Sequence, residues 1–213
     1  MKTGDLIRAL AADAETRTAS PQRALALALI PGVAIAFGLY FAALGLRPHL
    51  FALLGENPRL VFKLCLTFLL ACLSGRFVLR LVRPGADARG SALLLAVAPA
   101  LLAIANLVEL LTVPAALWSQ RLVGSNAIHC LESIPFLGAV PLVAALLALR
   151  HGAPEHPALA GAGAGLLAGA IGAALYATHC PDDSPFFVAT WYTLAIAIVA
   201  AVGALVGARL LRW

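Results

Sequence analysis

Six long apolar stretches, separated by short polar segments, dominate the sequence pattern of this chain. A helix needs about 20 mainly apolar residues to cross the hydrocarbon core of a bilayer. Six stretches reach that length and predict an all-α, polytopic membrane protein with six transmembrane helices at about 24–46, 60–82, 91–113, 133–149, 158–178 and 186–208. The pattern divides the chain into a polar, amphipathic segment, 1–23, and a transmembrane domain, 24–213.

Composition and charge agree with this membrane assignment. The 213 residues are 62% hydrophobic and 12% charged, whereas soluble domains contain about 45–50% apolar and about 25% charged residues. The net charge of +5 is compatible with nucleic-acid binding. The charges, however, lie at the ends of the apolar stretches rather than in one basic patch. We therefore expect the lipid bilayer to be the partner surface, with no direct contact to nucleic acid.

The distribution of positive charge predicts the orientation. If the N-terminus lies inside, 11 of the 15 Lys and Arg residues fall on the inner side. Positive residues collect on the cytoplasmic side of membrane proteins. The chain is thus predicted to be a multi-pass protein of a bacterial inner membrane with both termini cytoplasmic. The four cations expected on the outer side are Arg47, Arg59, Lys63 and Arg121.

Glycines recur at helical spacing in the last two predicted spans. Three lie four residues apart in the fifth span and two in the sixth, so each set shares one helix face. Such faces allow helix backbones to approach closely in lipid, and they would also permit a homodimer. The packing glycines are Gly161, Gly165, Gly169, Gly203 and Gly207.

Two of the four cysteines, Cys130 and Cys180, combine features of a chemical site. Each follows a histidine, each is predicted at an outer span boundary, and acidic residues lie nearby: His129, His179, Glu132, Asp182 and Asp183. Thiolate, imidazole and carboxylate groups can hold metals such as zinc or cadmium. Three interpretations stay open: a structural disulfide, a metal or redox sensor, and two unrelated boundary residues. No resident cofactor is expected, although a heavy-metal ion could bind transiently.

Other polar and sulfur-containing positions receive a structural interpretation. Cys65 and Cys72 lie seven residues apart on one face of the second span, where we interpret them as small apolar residues. Glu109 lies about one turn from the outer end of the third span, and we expect its carboxylate to reach water. These positions therefore predict no additional site.

The N-terminal segment is a candidate for partner binding. Leu6, Ile7 and Leu10 recur at helical spacing, while Asp5 and other charged residues occupy the remaining faces. This pattern predicts a short amphipathic helix. Two interpretations stay open: a helix lying on the inner leaflet, and a helix that binds in the groove of a cytosolic partner.

Several stretches of the chain resemble one protein family. They are the opening Met1–Asp13, the loop Leu149–Pro157 with the glycine-rich span after it, His179–Phe186 running into Trp191 and Tyr192, and the ending Arg209–Trp213. Together they are similar to the NrsF-type membrane anti-sigma factors over essentially the whole chain. Gly4 departs from the family pattern, in which we expect an acid.

This resemblance implies a function that composition does not. NrsF-type proteins are negative regulators that hold an extracytoplasmic-function (ECF) sigma factor at the inner membrane. The cysteines matching Cys130 and Cys180 are implicated in the response to heavy metals, which favours the sensor interpretation. The N-terminal helix would then bind the sigma factor, and no enzymatic activity is expected. The alternative is a small membrane transporter or metal-exporting protein.

Overall fold

A computed structural model describes residues 3–5, 21–82, 85, 87–150, 152 and 154–212, and the regular structure in these residues is helical. This regular structure includes a 3₁₀ turn, Ala115–Leu117, and a π-helical turn, Val188–Tyr192. The α-helices are α1 (Pro21–Ala43), α2 (Leu50–Glu56), α3 (Pro58–Leu81), α4 (Arg89–Leu95), α5 (Val97–Thr112), α6 (Trp118–Val123), α7 (Ala127–Arg150), α8 (Pro157–Ala177), α9 (Pro185–Phe187) and α10 (Thr193–Leu210).

The prediction of an all-α chain with six long apolar helices is confirmed for the described residues. Six helical segments are long and apolar enough to cross a membrane. The third is divided at Ala96 into α4 and α5. Pro99 explains this division, because it has no N–H to donate to the carbonyl four residues earlier, at Leu95.

The fourth long helix differs from its predicted bounds. The apolar pattern placed its start at residue 133, but α7 begins at Ala127. The helix therefore includes Cys130 in its first turn, ahead of the charged residue Glu132. Two short helices that the hydrophobic pattern did not predict, α2 and α6, lie between the long ones at the same end of the bundle.

Helix α8 is the centre of the bundle and packs against α3, α7 and α10. Its glycines meet the backbone of α10: a Cβ atom on Gly165 would lie 2.6 Å from the Ala200 Cα atom, and one on Gly207 would lie 2.7 Å from the Gly161 Cα atom. We call this contact, formed by Gly161, Gly165, Gly169, Gly203 and Gly207, the glycine seam. Because α8 and α10 cover these faces for each other, they are not free for a homodimer.

Two buried apolar clusters lie at opposite ends of the bundle. One contains Leu25, Val78 and Leu149, close to where α1 begins and α3 and α7 end. The other contains Cys130, Cys180 and several aromatic side chains. The predicted cysteine site thus lies in the second cluster.

The predicted sigma-binding residues are largely outside the described part of the chain. Thr3, Gly4 and Asp5 are helical and exposed. Leu6, Ile7 and Leu10 lie outside the described residues, so the amphipathic helix stays a prediction.

Candidate sensor site at the polar end of the bundle

Cys130 and Cys180 lie fifty positions apart in the sequence but belong to one buried cluster. Cys130 is in the first turn of α7, and its N–H donates to the Asn126 carbonyl at 2.8 Å. Cys180 follows the end of α8, and its N–H donates to the Tyr176 carbonyl at 3.0 Å. Both side chains are free thiols with no exposed surface. The fold therefore places two reduced cysteines together in a dry environment.

Aromatic side chains surround the two thiols. The rings of Tyr176 and Tyr192 lie 6.0 Å apart and, with Phe187, belong to the same cluster. The hydroxyl groups of both tyrosines are buried without a hydrogen-bond partner of ordinary geometry. Burial raises the pKa of the Cys180 thiol, and the Lys63 ammonium opposes this effect. The thiol is therefore protonated near neutral pH, so a metal that binds it must displace a proton.

Lys63 connects this cysteine loop to α3. Its side chain has no exposed surface, and its ammonium donates to the carbonyls of Cys180 at 2.8 Å and Asp182 at 3.3 Å. The ammonium also forms an ion pair with Asp183. A buried charge is costly unless it is paired and hydrogen-bonded. These three contacts meet that requirement and fix the loop against the first turns of α3.

The two aspartates of the loop bind different partners. Asp183 accepts hydrogen bonds from Arg47 at 2.9 Å and from Asn57 at 2.8 Å. Asp182 accepts from the backbone N–H groups of Ser125 at 3.0 Å and Asn126 at 2.9 Å, just ahead of α7. The loop thereby joins four segments of the chain. We call this network the polar cap: residues 178–184 with Arg47, Asn57, Lys63, Ser125 and Asn126.

The histidines and the remaining acid are not brought together with the thiols. His179 directs its Nδ1 atom to the Gly45 carbonyl at 2.9 Å. His129 and Glu132 are exposed on α7. In the part of the chain that the structure describes, no three His, Cys, Asp or Glu side chains converge as a metal-binding group. The predicted residues therefore divide into a thiol pair, an aspartate pair bound in the cap, and outlying groups.

Glu109 differs from its expected exposure to water. It is only 3% exposed, and its carboxylate lies between two guanidinium groups. Arg59 donates to it at 3.0 Å through Nε, and Arg121 donates from α6. The expectation was wrong because α6, which the pattern did not predict, carries a cation over the end of α5.

Comparisons with known proteins agree with the family resemblance seen in the sequence. The family described as negative regulator of sigma F, NrsF, matches residues 10–213. The chain belongs to the NrsF family. It is 38% identical to the anti-sigma-F factor NrsF of Caulobacter vibrioides, with the whole of both chains covered. It is 40% identical to the probable anti-sigma-F factor NrsF of Azospira oryzae, again over both full lengths. No solved structure matches.

The NrsF family is described as negative regulators of sigma F, which is a regulatory class, and these two relatives are named anti-sigma-F factors. The family resemblance found in the sequence is thus confirmed. Within this family member, the structure adds residues that sequence reasoning had not assigned to the site: Lys63, Tyr176 and Tyr192. Lys63 could have been noticed as a lysine inside a long apolar stretch. No local sequence pattern links the two tyrosines to the cysteines.

Proposed function

We propose that this NrsF-family protein holds an ECF sigma factor at the bacterial inner membrane and releases it when Cys130 and Cys180 react with a heavy metal or an oxidant. The observation that carries this proposal is the convergence of two distant cysteines in one buried cluster. The relatives are named as anti-sigma-F factors, and a sigma factor of that type is the partner we infer.

The charge distribution supports an orientation with the polar cap outside. The four cations assigned to the outer side from the sequence all lie at the polar end, where each is bound to an acid: Arg47, Arg59, Lys63 and Arg121. The opposite end carries exposed arginines, as a cytoplasmic face does: Arg76, Arg80, Arg150 and Arg209. In this orientation, segment 1–23 faces the cytosol.

The sigma factor binds on that cytoplasmic face. Leu6, Ile7 and Leu10 on the apolar face of the predicted N-terminal helix, with the nearby Asp5, provide the binding contacts, so that captured sigma factor cannot join the core polymerase. The amphipathic pattern supports this role, since an apolar helix face fits a hydrophobic groove on a partner.

Release begins at the thiols. A soft divalent metal binds Cys130 and Cys180 and displaces their two protons. Alternatively, an oxidant accepts two electrons and two protons as the disulfide forms. Both reactions change the contact between the start of α7 and the loop that Lys63 fixes to α3. At the other end of α3, the Leu79 carbonyl accepts a hydrogen bond from the Gln22 side chain at 3.2 Å, next to the N-terminal segment. A coupling free energy of about 1–3 kcal/mol between the thiols and the cytoplasmic face would change the affinity for the sigma factor roughly 5–150-fold.

A sigma-dependent reporter tests the cysteine step. Cells carrying the Cys130→Ser/Cys180→Ser variant should keep the reporter repressed and lose induction by cadmium or by a thiol oxidant. The Cys65→Ser/Cys72→Ser variant is the matched control, because those thiols lie on the exposed surface of α3, and it should respond normally. Full induction of the Cys130→Ser/Cys180→Ser variant would remove the sensor role from these residues.

Deletion of residues 2–19 tests the binding step separately. We expect the reporter to become permanently active while the truncated protein remains at its normal level in the membrane. Continued repression at a normal protein level would exclude the N-terminal segment as the site that captures the sigma factor.

Metal export, the alternative function, receives less support. A transport path needs polar side chains across the middle of the bundle. Two buried polar groups there, Thr67 and Ser74, donate to carbonyls of their own helix at 3.0 Å and 2.6 Å. Cadmium uptake into vesicles that contain the protein would favour export over regulation.

A further inference from the structure

A cavity of about 590 Å³ opens at the polar end and does not belong to the thiol cluster. Arginines from three separate segments line it: Arg47 from the α1–α2 connection, Arg59 from the start of α3, and Arg121 from α6. Neutral hydrogen-bonding side chains also line it, namely Asn57, Gln120, Ser125 and Ser184, together with the carboxylates of Asp182 and Asp183. Such a lining offers many donors to a ligand that carries several acceptor oxygens.

The ion pairs around the cavity leave positive charge uncompensated. Glu109 is shared by two arginines, Arg59 and Arg121. Asp183 is likewise shared by two cations, Arg47 and Lys63. Each of these groups therefore has two cations for one carboxylate.

The third carboxylate of the network does not cancel this excess. Asp182 is bound by neutral donors, the backbone and side chains of Ser125 and Asn126. In total, the network contains four cations and three carboxylates. Among the described residues, the ion pairs use at most two of the five N–H donors of each cavity arginine.

Two tryptophans lie on or against α6, the helix that carries Arg121 to the cavity. Trp118, on the neighbouring α6, donates through its indole N–H to the Val113 carbonyl at 3.0 Å. Trp191 donates to the Leu122 carbonyl, also on α6, at 2.8 Å. Tryptophans with an apolar ring and a bonded N–H are typical of membrane interfaces. A ligand at this level could come from the aqueous phase or from a lipid.

We propose that this cavity is an oxyanion-binding site in which Arg47, Arg59 and Arg121 bind a phosphate-type group. Guanidinium groups bind phosphate through paired, charge-assisted hydrogen bonds. The group is either free inorganic phosphate or the headgroup of an anionic phospholipid. Its binding would join the α1–α2 connection, α3 and α6 from outside. This inference is independent of the sensor role and of the sigma factor.

The test uses the purified full chain in a maltoside detergent, which contains no phosphate. Thermal unfolding is followed by tryptophan fluorescence in two arms at constant ionic strength. In the first, potassium phosphate replaces chloride; in the second, phosphatidylglycerol replaces a neutral diacylglycerol. A saturable rise in Tm in the first arm identifies a free oxyanion site, and a rise in the second alone identifies a headgroup site.

Arg121→Gln is the decisive variant, because Glu109 keeps Arg59 as a partner and no bare carboxylate is left buried. Loss of one charge-assisted contact should weaken the response roughly tenfold or more. Arg47→Gln is a second variant of the same kind, since Asp183 keeps Lys63 and Asn57. Arg76→Gln, an exposed arginine at the opposite end, is the matched control and should respond like the wild type.

Two results would overturn the proposal. One is the absence of any Tm response in both arms. The other is a response in Arg121→Gln and Arg47→Gln equal to that in Arg76→Gln, because the stabilisation would then come from general salt or lipid effects.

Discussion

The glycine seam and the polar cap both hold α8 and its neighbours together, but by opposite kinds of contact. The seam brings backbone against backbone without any charged group, and 61% of the residues in an 18-residue apolar stretch of the fifth long helix are buried. The cap joins segments through charges that are each shared among several partners. A contact between backbones has one arrangement, whereas a shared charge can change partners. We infer that the seam is the fixed axis of the bundle and the cap the part whose state can change.

A side chain placed in the seam should have the largest effect. In Gly165→Leu, the new Cβ atom would lie 2.6 Å from the Ala200 Cα atom, so two helix backbones must separate. We expect a loss of about 3 kcal/mol or more, at the upper end for overpacking, seen as a reduced protein level and a lower Tm. Gly38→Leu is the matched control, because no heavy atom lies within 4 Å of its Cβ position. Equal behaviour of the two variants would contradict a rigid seam.

The glycine faces of the seam could be predicted from the sequence, although not that they pack against each other, whereas the contacts of the cap could not be predicted. Glycines at four-residue spacing form a helix face by local geometry alone, without knowledge of the fold. The cap depends on residues such as Lys63 and Asp183, 120 positions apart, which only the arrangement of α3 and α8 brings together. The sequence identified both aspartates and both cysteines, yet it interpreted Lys63 as a charge near a span end. It also missed the early start of α7, because Glu132 interrupts the apolar pattern.

Removal of the cap's central cation should have the next largest effect. Lys63→Met leaves the carbonyls of Cys180 and Asp182 without their donor and removes one partner of Asp183. Since Asp183 keeps Arg47 and Asn57, the loss should be near the lower end of the roughly 3–5 kcal/mol for a broken buried pair. Chemical denaturation in detergent measures it.

A double-mutant cycle tests whether that loss comes from the ion pair. The double variant Lys63→Met/Asp183→Asn should be less destabilised than the sum of the two single variants. The reason is that Asp183→Asn alone leaves the buried Lys63 charge without its carboxylate, and the double variant removes that charge. Strict additivity would mean that the pair contributes nothing. Arg76→Met, at an exposed position of the same helix, controls for the loss of a cation.

Opening the polar cap where it contacts the start of α7 should lower stability moderately and should make the two thiols more accessible. Asp182→Ala removes the acceptor for the Ser125 and Asn126 N–H groups. This loss should lower the free energy of unfolding by about 1–3 kcal/mol. In a Cys65→Ser/Cys72→Ser background, a maleimide should then label Cys130 and Cys180 faster than in the parent protein. Asp87→Ala, an exposed residue that accepts from its neighbour Arg89, should leave the labelling rate unchanged. Unchanged labelling in Asp182→Ala would show that the cap does not cover the thiols.

The smallest effect should come from Arg59→Gln, because Glu109 is shared between Arg59 and Arg121, much as the charges of the polar cap are shared. The Arg59 side chain is 43% exposed, and Glu109 keeps Arg121 as a partner after the substitution. An exposed ion pair contributes about 0–1 kcal/mol, so the Tm measured in phosphate-free buffer should fall only slightly, and less at high salt. Loss of both partners, in Arg59→Gln/Arg121→Gln, should cost much more than the sum of the single variants, since it leaves Glu109 buried and bare. If Arg59→Gln alone were as damaging as Gly165→Leu, the two cations of Glu109 would not substitute for each other. This group of shared charges would then be as fixed as the seam.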